Sequence, residues 1–464
     1  AVSAASMIPL LWLVITWLVP FVIRGGVMPK VTLAFWAFIT VVGISSALAF
    51  FLAIPPFRDI RLSTRELQAF LTLGVGAAFY LVSSAWPGTS PRMRTTLQII
   101  NWSGLVLVGW SLLQGYFWFF RPAPPAWMWK MQEALSLNTF FYRRVDGFAF
   151  EPSWLGHQLN MLYLPFWLAA TVQRTSAHRF RLVWFSLENL LLLMGAASLF
   201  LSFSRVGMVG FLLVLIYLGI RGGIALGVRV QLWLASRFSV RAVRSLVFRI
   251  GVPAALIVSF LAAFAAGTYG MVHAASRFDP RIEKLLTPSS WTGDLFQSAN
   301  NLAFAERVVF WATGWEIFNQ HPLLGVGLGN AGYYFPQAMP AFGWSLTEVN
   351  TVMYRTAGIP NTKSLWTRIL AETGIAGFAT WLVWLYLLWQ AARLALSSGS
   401  PVEKTVGLAG TLMLVALLAE GFSVDSFALP YLWVTAGLVS AASSIVHRQA
   451  RNLQTVEVAD QSPV

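Results

Sequence analysis

The chain contains no cysteine, which excludes disulfides, thiolate nucleophiles and Cys-ligated metal sites. Charge is scarce as well: Asp, Glu, Lys and Arg make up 11% of the residues, against about 25% in a typical soluble domain. Five histidines, His157, His178, His273, His321 and His447, are scattered without an HExxH or other paired spacing, so no metal is expected. An internal repeat, a Gly-rich phosphate loop, a GxSxG elbow and the helix-pair repeats of many transporters are also missing. Acidic residues are outnumbered 18 to 32 by Lys and Arg, for a net charge of +14. In a soluble protein that balance would suggest nucleic acid. In a membrane protein it is topological: positive residues hold short loops on the cytoplasmic side and meet anionic headgroups, so the expected partners are membrane lipids and not nucleic acid.

What the chain has instead is apolar surface. Hydrophobic residues make up 57% of it, at a mean hydropathy of +0.65. Runs long enough to span a bilayer recur from end to end, and lipid cannot satisfy backbone groups, so these runs are helices and not the short alternating segments of a β-barrel. Candidate spans lie at about 7–23, 31–54, 67–86, 97–119, 154–172, 182–202, 206–220, 250–270, 366–392, 404–422 and 427–446. The fold class is all-α: a polytopic helical membrane protein of about eleven to twelve transmembrane helices.

Three regions follow: an N-terminal transmembrane bundle at 1–269, a long folded loop at 270–365, and C-terminal transmembrane helices with a tail at 366–464. Arg174, Arg179 and Arg181, and the run from Arg221 to Arg249, which has no acidic residue, mark the cytoplasmic side. The stretch Val228–Phe248 has the basic and apolar alternation of a helix lying on headgroups. With those loops inside, the segment 121–153, the tight Ser202–Arg205 turn and the long loop share the outer face. Counting back also puts Arg58, Arg61 and Arg65 outside, against the positive-inside rule, so the N-terminal third is where this topology strains.

Four stretches carry candidate chemistry. In Phe148-Ala-Phe-Glu-Pro-Ser153, Glu151 stands before a proline suited to a first helical position; it either complements that helix end or accepts a proton from a hydroxyl. Arg205, in the turn Ser204-Arg-Val-Gly207, joins two apolar spans at or below the membrane surface, where a guanidinium needs a partner such as phosphate oxygens. In the long loop, Glu306 to Gln320 reads as a helix whose Val308, Trp311, Trp315 and Phe318 face the bundle. Arg307 begins this helix and His321 ends it, as dipole complement or as catalyst, before a turn served by Gly325, Gly327 and Gly329. The loop's Arg277 and Arg281 are further candidates for binding an anionic substrate. At the re-entry into the membrane, Lys363, Arg368 and Glu372 recur at helical intervals, and an intrahelical Arg368–Glu372 pair is expected. Glu420 and Asp425 are potential partners for these cations.

Taken together and in order, these stretches resemble the superfamily of O-antigen ligases and of O-antigen and exopolysaccharide polymerases. The resemblance covers roughly Gly147 to Phe378. It rests on the Ser-Arg-x-Gly turn, the Arg-x-x-x-Trp segment at Arg307–Trp311, the Pro-Leu-x-Gly-x-Gly turn at Pro322–Gly327 and the Glu-x-Gly-x-x-Gly helix at Glu372–Gly377. It implies a GT-C-like glycosyltransferase of the bacterial inner membrane, active at its periplasmic face without metal or other cofactor. The implied donor is an undecaprenyl-pyrophosphate-linked glycan, the acceptor a glycan or lipid A-core, and a chain-length regulator protein a further partner. Carried over by position, Arg205 and Arg307 look like the arginines that hold the donor pyrophosphate. One departure matters: where ligases typically show His, this chain has Lys363, ten residues and one step before Gly374. An ammonium does not take up a proton near neutral pH, so Lys363 suits pyrophosphate or glycan carboxylate binding. With the Phe-x-Phe-Glu-Pro-Ser stretch, this favours a polymerase over a ligase. The reading from another class, a transporter or flippase of an anionic lipid-linked glycan, would put broken helices and midplane charge where this chain concentrates charge at one face.

Overall fold

A computed structural model describes residues 4–121, 123–136, 139–178, 181–182, 185–237, 246–277, 283–284, 287–292, 295–302, 304–356 and 358–460. Among these residues the architecture is all-α, apart from a two-residue ladder pairing Arg181–Leu182 with Phe185–Ser186. The main helices are α1 (Met7–Ile23), α2 (Thr32–Ala49), α3 (Leu62–Ala85), α4 (Ser90–Phe120), a short α5 (Ala126–Ser136) and α6 (Pro152–Gln158). A π-turn at Leu159–Tyr163 leads from α6 into α7 (Leu164–Gln173), where Pro165 cannot donate to the regular ladder. The chain continues with α8 (Leu187–Leu201), α9 (Arg205–Arg237), α10 (Leu246–Ser276), α11 (Ala305–Gln320), α12 (Leu365–Leu396), α13 (Pro401–Glu420) and α14 (Pro430–Asp460). Seven helices among the described residues are long and apolar enough to cross a membrane, with α1 and α8 as shorter apolar helices. Each expected span coincides for most of its length with helix, that at 182–202 only from Leu187 and that at 31–54 only to Ala49, and the protein is polytopic.

Two compact units are present: residues 1–208 with 309–464, and residues 209–308. The larger is centred on an aromatic core. Trp381 and Trp384 of α12, Trp433 of α14 and Phe35 and Phe38 of α2 are all essentially buried, with ring centroids 4.8 Å apart for Trp381–Trp384 and 5.5 Å for Trp384–Trp433. Such edge and tilted contacts add about 0.5–1.5 kcal/mol per pair beyond area burial. In the smaller unit, Gly219, Gly223 and Gly227 form a stripe along α9 that admits Phe260, Ile257 and Pro253 of α10, as close helix packing in lipid requires. The expected headgroup helix at Val228–Phe248 is not separate over its first half: α9 runs on unbroken to Arg237, and residues 238–245 lie outside the described residues.

The topological strain at the N-terminus has a structural account. The Arg58 guanidinium donates to the carbonyls of Val352 and Met353, both at 2.5 Å, to Gly358, and to the Thr356 hydroxyl at 3.2 Å. Arg65 Nε donates to Gly329 O at 3.0 Å. These two arginines are therefore on the same face as residues 329–358, as the count along the chain gave. Their charge is used on backbone carbonyls of that segment, which is why a rule written for headgroup-facing cations does not describe them.

Candidate active site

Helices α6 and α9 meet backbone to backbone. A Cβ on Gly156 would lie 3.3 Å from Gly207 Cα, and one on Gly207 3.2 Å from Gly156 Cα. Ser204 caps α9, its Oγ accepting from Gly207 N at 3.2 Å. The glycine of the Ser-Arg-x-Gly turn thus has a physical reason: any side chain would push the two helices apart. The contact falls five residues after Glu151 and two after Arg205, so both lie at the N-terminal mouths of crossing helices, within roughly 8 Å along either axis at 1.5 Å per residue. Glu151 occupies the N-cap position of α6 without making a cap hydrogen bond. It accepts instead from the Ser153 hydroxyl. Arg205 is half-buried.

Below this mouth lies a buried polar centre. His157 Nδ1 pairs with the Glu420 carboxylate at the end of α13, and Asn160 donates its amide both to Glu420 and, at 2.6 Å, to Gly207 O. All three side chains are at most 1% exposed. Glu420 therefore serves His157, and not Lys363 or Arg368. Gly421, next in sequence, accepts from Leu365 N at 2.7 Å and from Ser364 Oγ at 3.2 Å. Lys363 has left-handed φ of 54°, and its Nζ stands 3.7 Å from Asp425 Oδ2. A chain of contacts runs from Ser364 and Leu365 through Gly421 and Glu420 to His157, Asn160 and Gly207, linking the start of α12 to the Gly156–Gly207 crossing. His157 and Asn160 are the residues that sequence reasoning missed, and Glu420, expected as a partner of the nearby cations, pairs with them instead. The usable signals were the i, i+3 pair His157/Asn160 just after a helix-entry motif, and a carboxylate closing an otherwise apolar span.

Arg368 and Glu372 pair within α12, with Nε 3.1 and 3.2 Å from the two carboxylate oxygens. Arg368 also donates to Asp425 O at 2.5 Å and stacks on Phe427 at 4.8 Å. Both are buried, and their contacts tie the re-entry helix to the α13–α14 loop. Two residues beyond Glu372 the helix breaks at Gly374, with φ 63° and ψ −164°. The Pro322–Gly327 turn fills the break. Val326 N donates to Ala371 O at 3.0 Å and Gly327 N to Glu372 O at 2.9 Å, while Ile375 N and Ala376 N donate to the carbonyls of Pro322 and Leu323. Gly325, Gly327 and Gly329 have φ of 66°, 89° and 83°, the left-handed conformations of a tight turn. Ser45 of α2 donates to Leu324 O and Glu372 O at 2.5 and 2.8 Å. His321 belongs to this assembly: it ends α11 and meets Tyr334 edge-on at 5.2 Å. Burial lowers its pKa, which favours the neutral imidazole.

Burial acts oppositely on Asp146, in the loop before Glu151. Its carboxyl is fully buried, neither oxygen has a hydrogen-bond partner among the described residues, and loss of hydration pushes its pKa up to about 7. Between its ordinary value and about 7 the folded state holds a proton that the unfolded chain releases, so stability falls as pH rises through this window and levels off above it. Asp146→Asn removes the dependence. The gap between thermal midpoints at pH 5 and pH 8 in detergent is expected to narrow in the variant; an unchanged gap would show that the carboxyl is hydrated.

Arg307 and Arg277 belong to the smaller unit; Arg307 is half-buried in the first turn of α11 and Arg277 is exposed. Arg281 lies outside the described residues. The inward face of α11 differs from expectation. Phe310, Thr313, Gly314 and Ile317 are buried, whereas Trp315 is 52% exposed. Gly314 lets the helix approach Thr362 and Thr367, so small residues set the contact, while indoles suit a surface where water meets apolar groups. Among the described residues no group of three or more His, Asp or Glu converges as metal ligands.

No curated protein matches the chain significantly. Residues 190–382 match the family described as O-antigen ligase. The match takes in the Ser-Arg-x-Gly turn, the glycine turn and the Gly374 break, and it supports the likeness to the O-antigen ligase superfamily that the motifs carry.

Proposed function

We propose that the chain is an inverting glycosyltransferase that polymerises polyprenyl-pyrophosphate-linked oligosaccharide repeat units at the periplasmic face of the inner membrane. The observation that carries this reading is the close contact of Gly156 with Gly207, which brings together the starts of the helices that bear Glu151 and Arg205. A hydroxyl of the acceptor glycan attacks the anomeric carbon of the donor and the bond to pyrophosphate breaks. The departing electron pair stays on the pyrophosphate, and the hydroxyl proton passes to Glu151. Negative charge grows on the leaving group in the transition state, where cations already in place lower the barrier. Arg205 offers a planar fork for phosphate oxygens, and Lys363 a point charge held by Asp425. Arg307 is the second arginine expected from the resemblance.

Polymerisation is favoured over ligation because Lys363, its Nζ 3.7 Å from Asp425 Oδ2, occupies the place of the ligase histidine. The ligase reading, transfer of the lipid-linked glycan to lipid A-core, is favoured by the description of the matched family. Purified protein incubated with lipid-linked repeat unit separates them: a ladder without lipid A-core is expected, and a single transfer that requires core would establish the ligase. Arg205→Ala and Arg307→Ala are each expected to lower turnover by about 10²-fold or more, the scale of losing one preorganised transition-state contact, with normal yield. Near-normal product length in Arg205→Ala would sink the pyrophosphate role.

A further inference from the structure

A cavity of about 840 Å³ opens in the larger unit at the end remote from the candidate site. It is reached along the same helices: α3 runs from Arg65, beside the glycine turn, to Ser84 on the cavity wall, roughly 28 Å at 1.5 Å per residue. Its size is within the range of about 300–1,000 Å³ usual for ligand sites.

The wall has two halves of different chemistry. Lys30, Arg92 and Arg448 contribute cations, and no Asp or Glu is among the residues that line it. Trp17 and Phe21 contribute an apolar side, stacked at 5.3 Å, with Trp86 edge-on to Trp17 at 5.2 Å. Arg92 stands 5.7 Å above the Trp86 ring, and Arg448 is oriented by donation to Gly88 O at 2.6 Å. Like charges gathered without a counter-charge repel one another, and an anion relieves that repulsion. Aromatic rings beside cations are the composition found where acyl chains give way to headgroups.

We propose that this cavity binds one anionic phospholipid, its phosphate among Lys30, Arg92 and Arg448 and its acyl chains along Trp17 and Phe21. The phosphate alone could come from a free anion, and the apolar half decides for the lipid.

The test uses the full-length protein in a mild non-ionic detergent, titrated with phosphatidylglycerol, phosphatidylcholine or inorganic phosphate while the thermal midpoint is followed. Phosphatidylglycerol is expected to raise the midpoint saturably, as a ligand that binds only the folded state does. Its apparent affinity is expected to fall at least tenfold in the Lys30→Gln/Arg92→Gln variant. An equal, saturable effect of phosphatidylcholine would overturn the charge assignment, and an equal effect of inorganic phosphate at similar concentration would overturn the lipid. Native mass spectrometry of the unmutated protein gives an arm independent of the variant's folding. One tightly retained phosphatidylglycerol supports the site, and loss of all lipid at the lowest activating energy counts against it.

Discussion

Glu420→Ala is expected to destabilise the protein by about 2–6 kcal/mol, the cost of leaving two buried hydrogen-bond donors without their acceptor at about 1–3 kcal/mol each. The carboxylate is the acceptor for both His157 Nδ1 and the Asn160 amide. Deleting it orphans two donors in a place already short of partners: His157 Nε2 and Asn160 Oδ1 are buried without a hydrogen-bond partner among the described residues. Each further unsatisfied group costs about 1–3 kcal/mol. Glu420→Gln keeps one acceptor oxygen and should lose less. A His157→Ala/Glu420→Ala cycle should show strong coupling, since each single change strands what the other would remove. Denaturation in detergent reads all of these, and a Glu420→Ala protein within about 1 kcal/mol of the parent would mean that the centre is hydrated and the pair incidental.

Gly374→Ala should be comparably damaging, for backbone reasons. Its φ of 63° with ψ of −164° lies in a region essentially reserved for glycine, at a cost of about 1–3 kcal/mol for other residues. A Cβ there would also press on the Leu323 carbonyl and come 2.5 Å from Leu324 N; overpacking adds about 1–3 kcal/mol. The expected result is loss of monodisperse protein in detergent. Gly399→Ala, which would meet nothing within 4 Å, is the control. A Gly374→Ala protein as stable as that control would mean that the break in α12 is not obligatory.

How legible these features were in the sequence depended on their range. The spans could be read because lipid leaves a long apolar run no alternative to helix. The glycine turn and the Arg368–Glu372 pair are local, and local spacing announced them. The His157–Glu420 pair joins residues 263 positions apart, and nothing in either neighbourhood names the other. Arg58 misled for a related reason: its role on the carbonyls of 352–358 is invisible to a rule that counts charges next to spans. The inward face of α11 was misjudged because tryptophan was scored as buried apolar surface, whereas Gly314 and Thr313 set how closely the helix packs.

The glycine turn also bears on how the site can move. Its amides complete the hydrogen bonding of Ala371 and Glu372, and its carbonyls receive the amides of Ile375 and Ala376. To swing outward, residues 322–327 would have to leave Ala371 O, Ile375 N and Ala376 N unpaired in a helix within a low-dielectric bundle, each at about 1–3 kcal/mol, while Glu372 O would keep only Ser45. This part of the outer segment is therefore a fixed part of α12 in mechanical terms and moves only when the helix moves. On the proposed function, any motion that admits a bulky lipid-linked substrate to Arg205 and Glu151 has to come from elements that carry no such ladder.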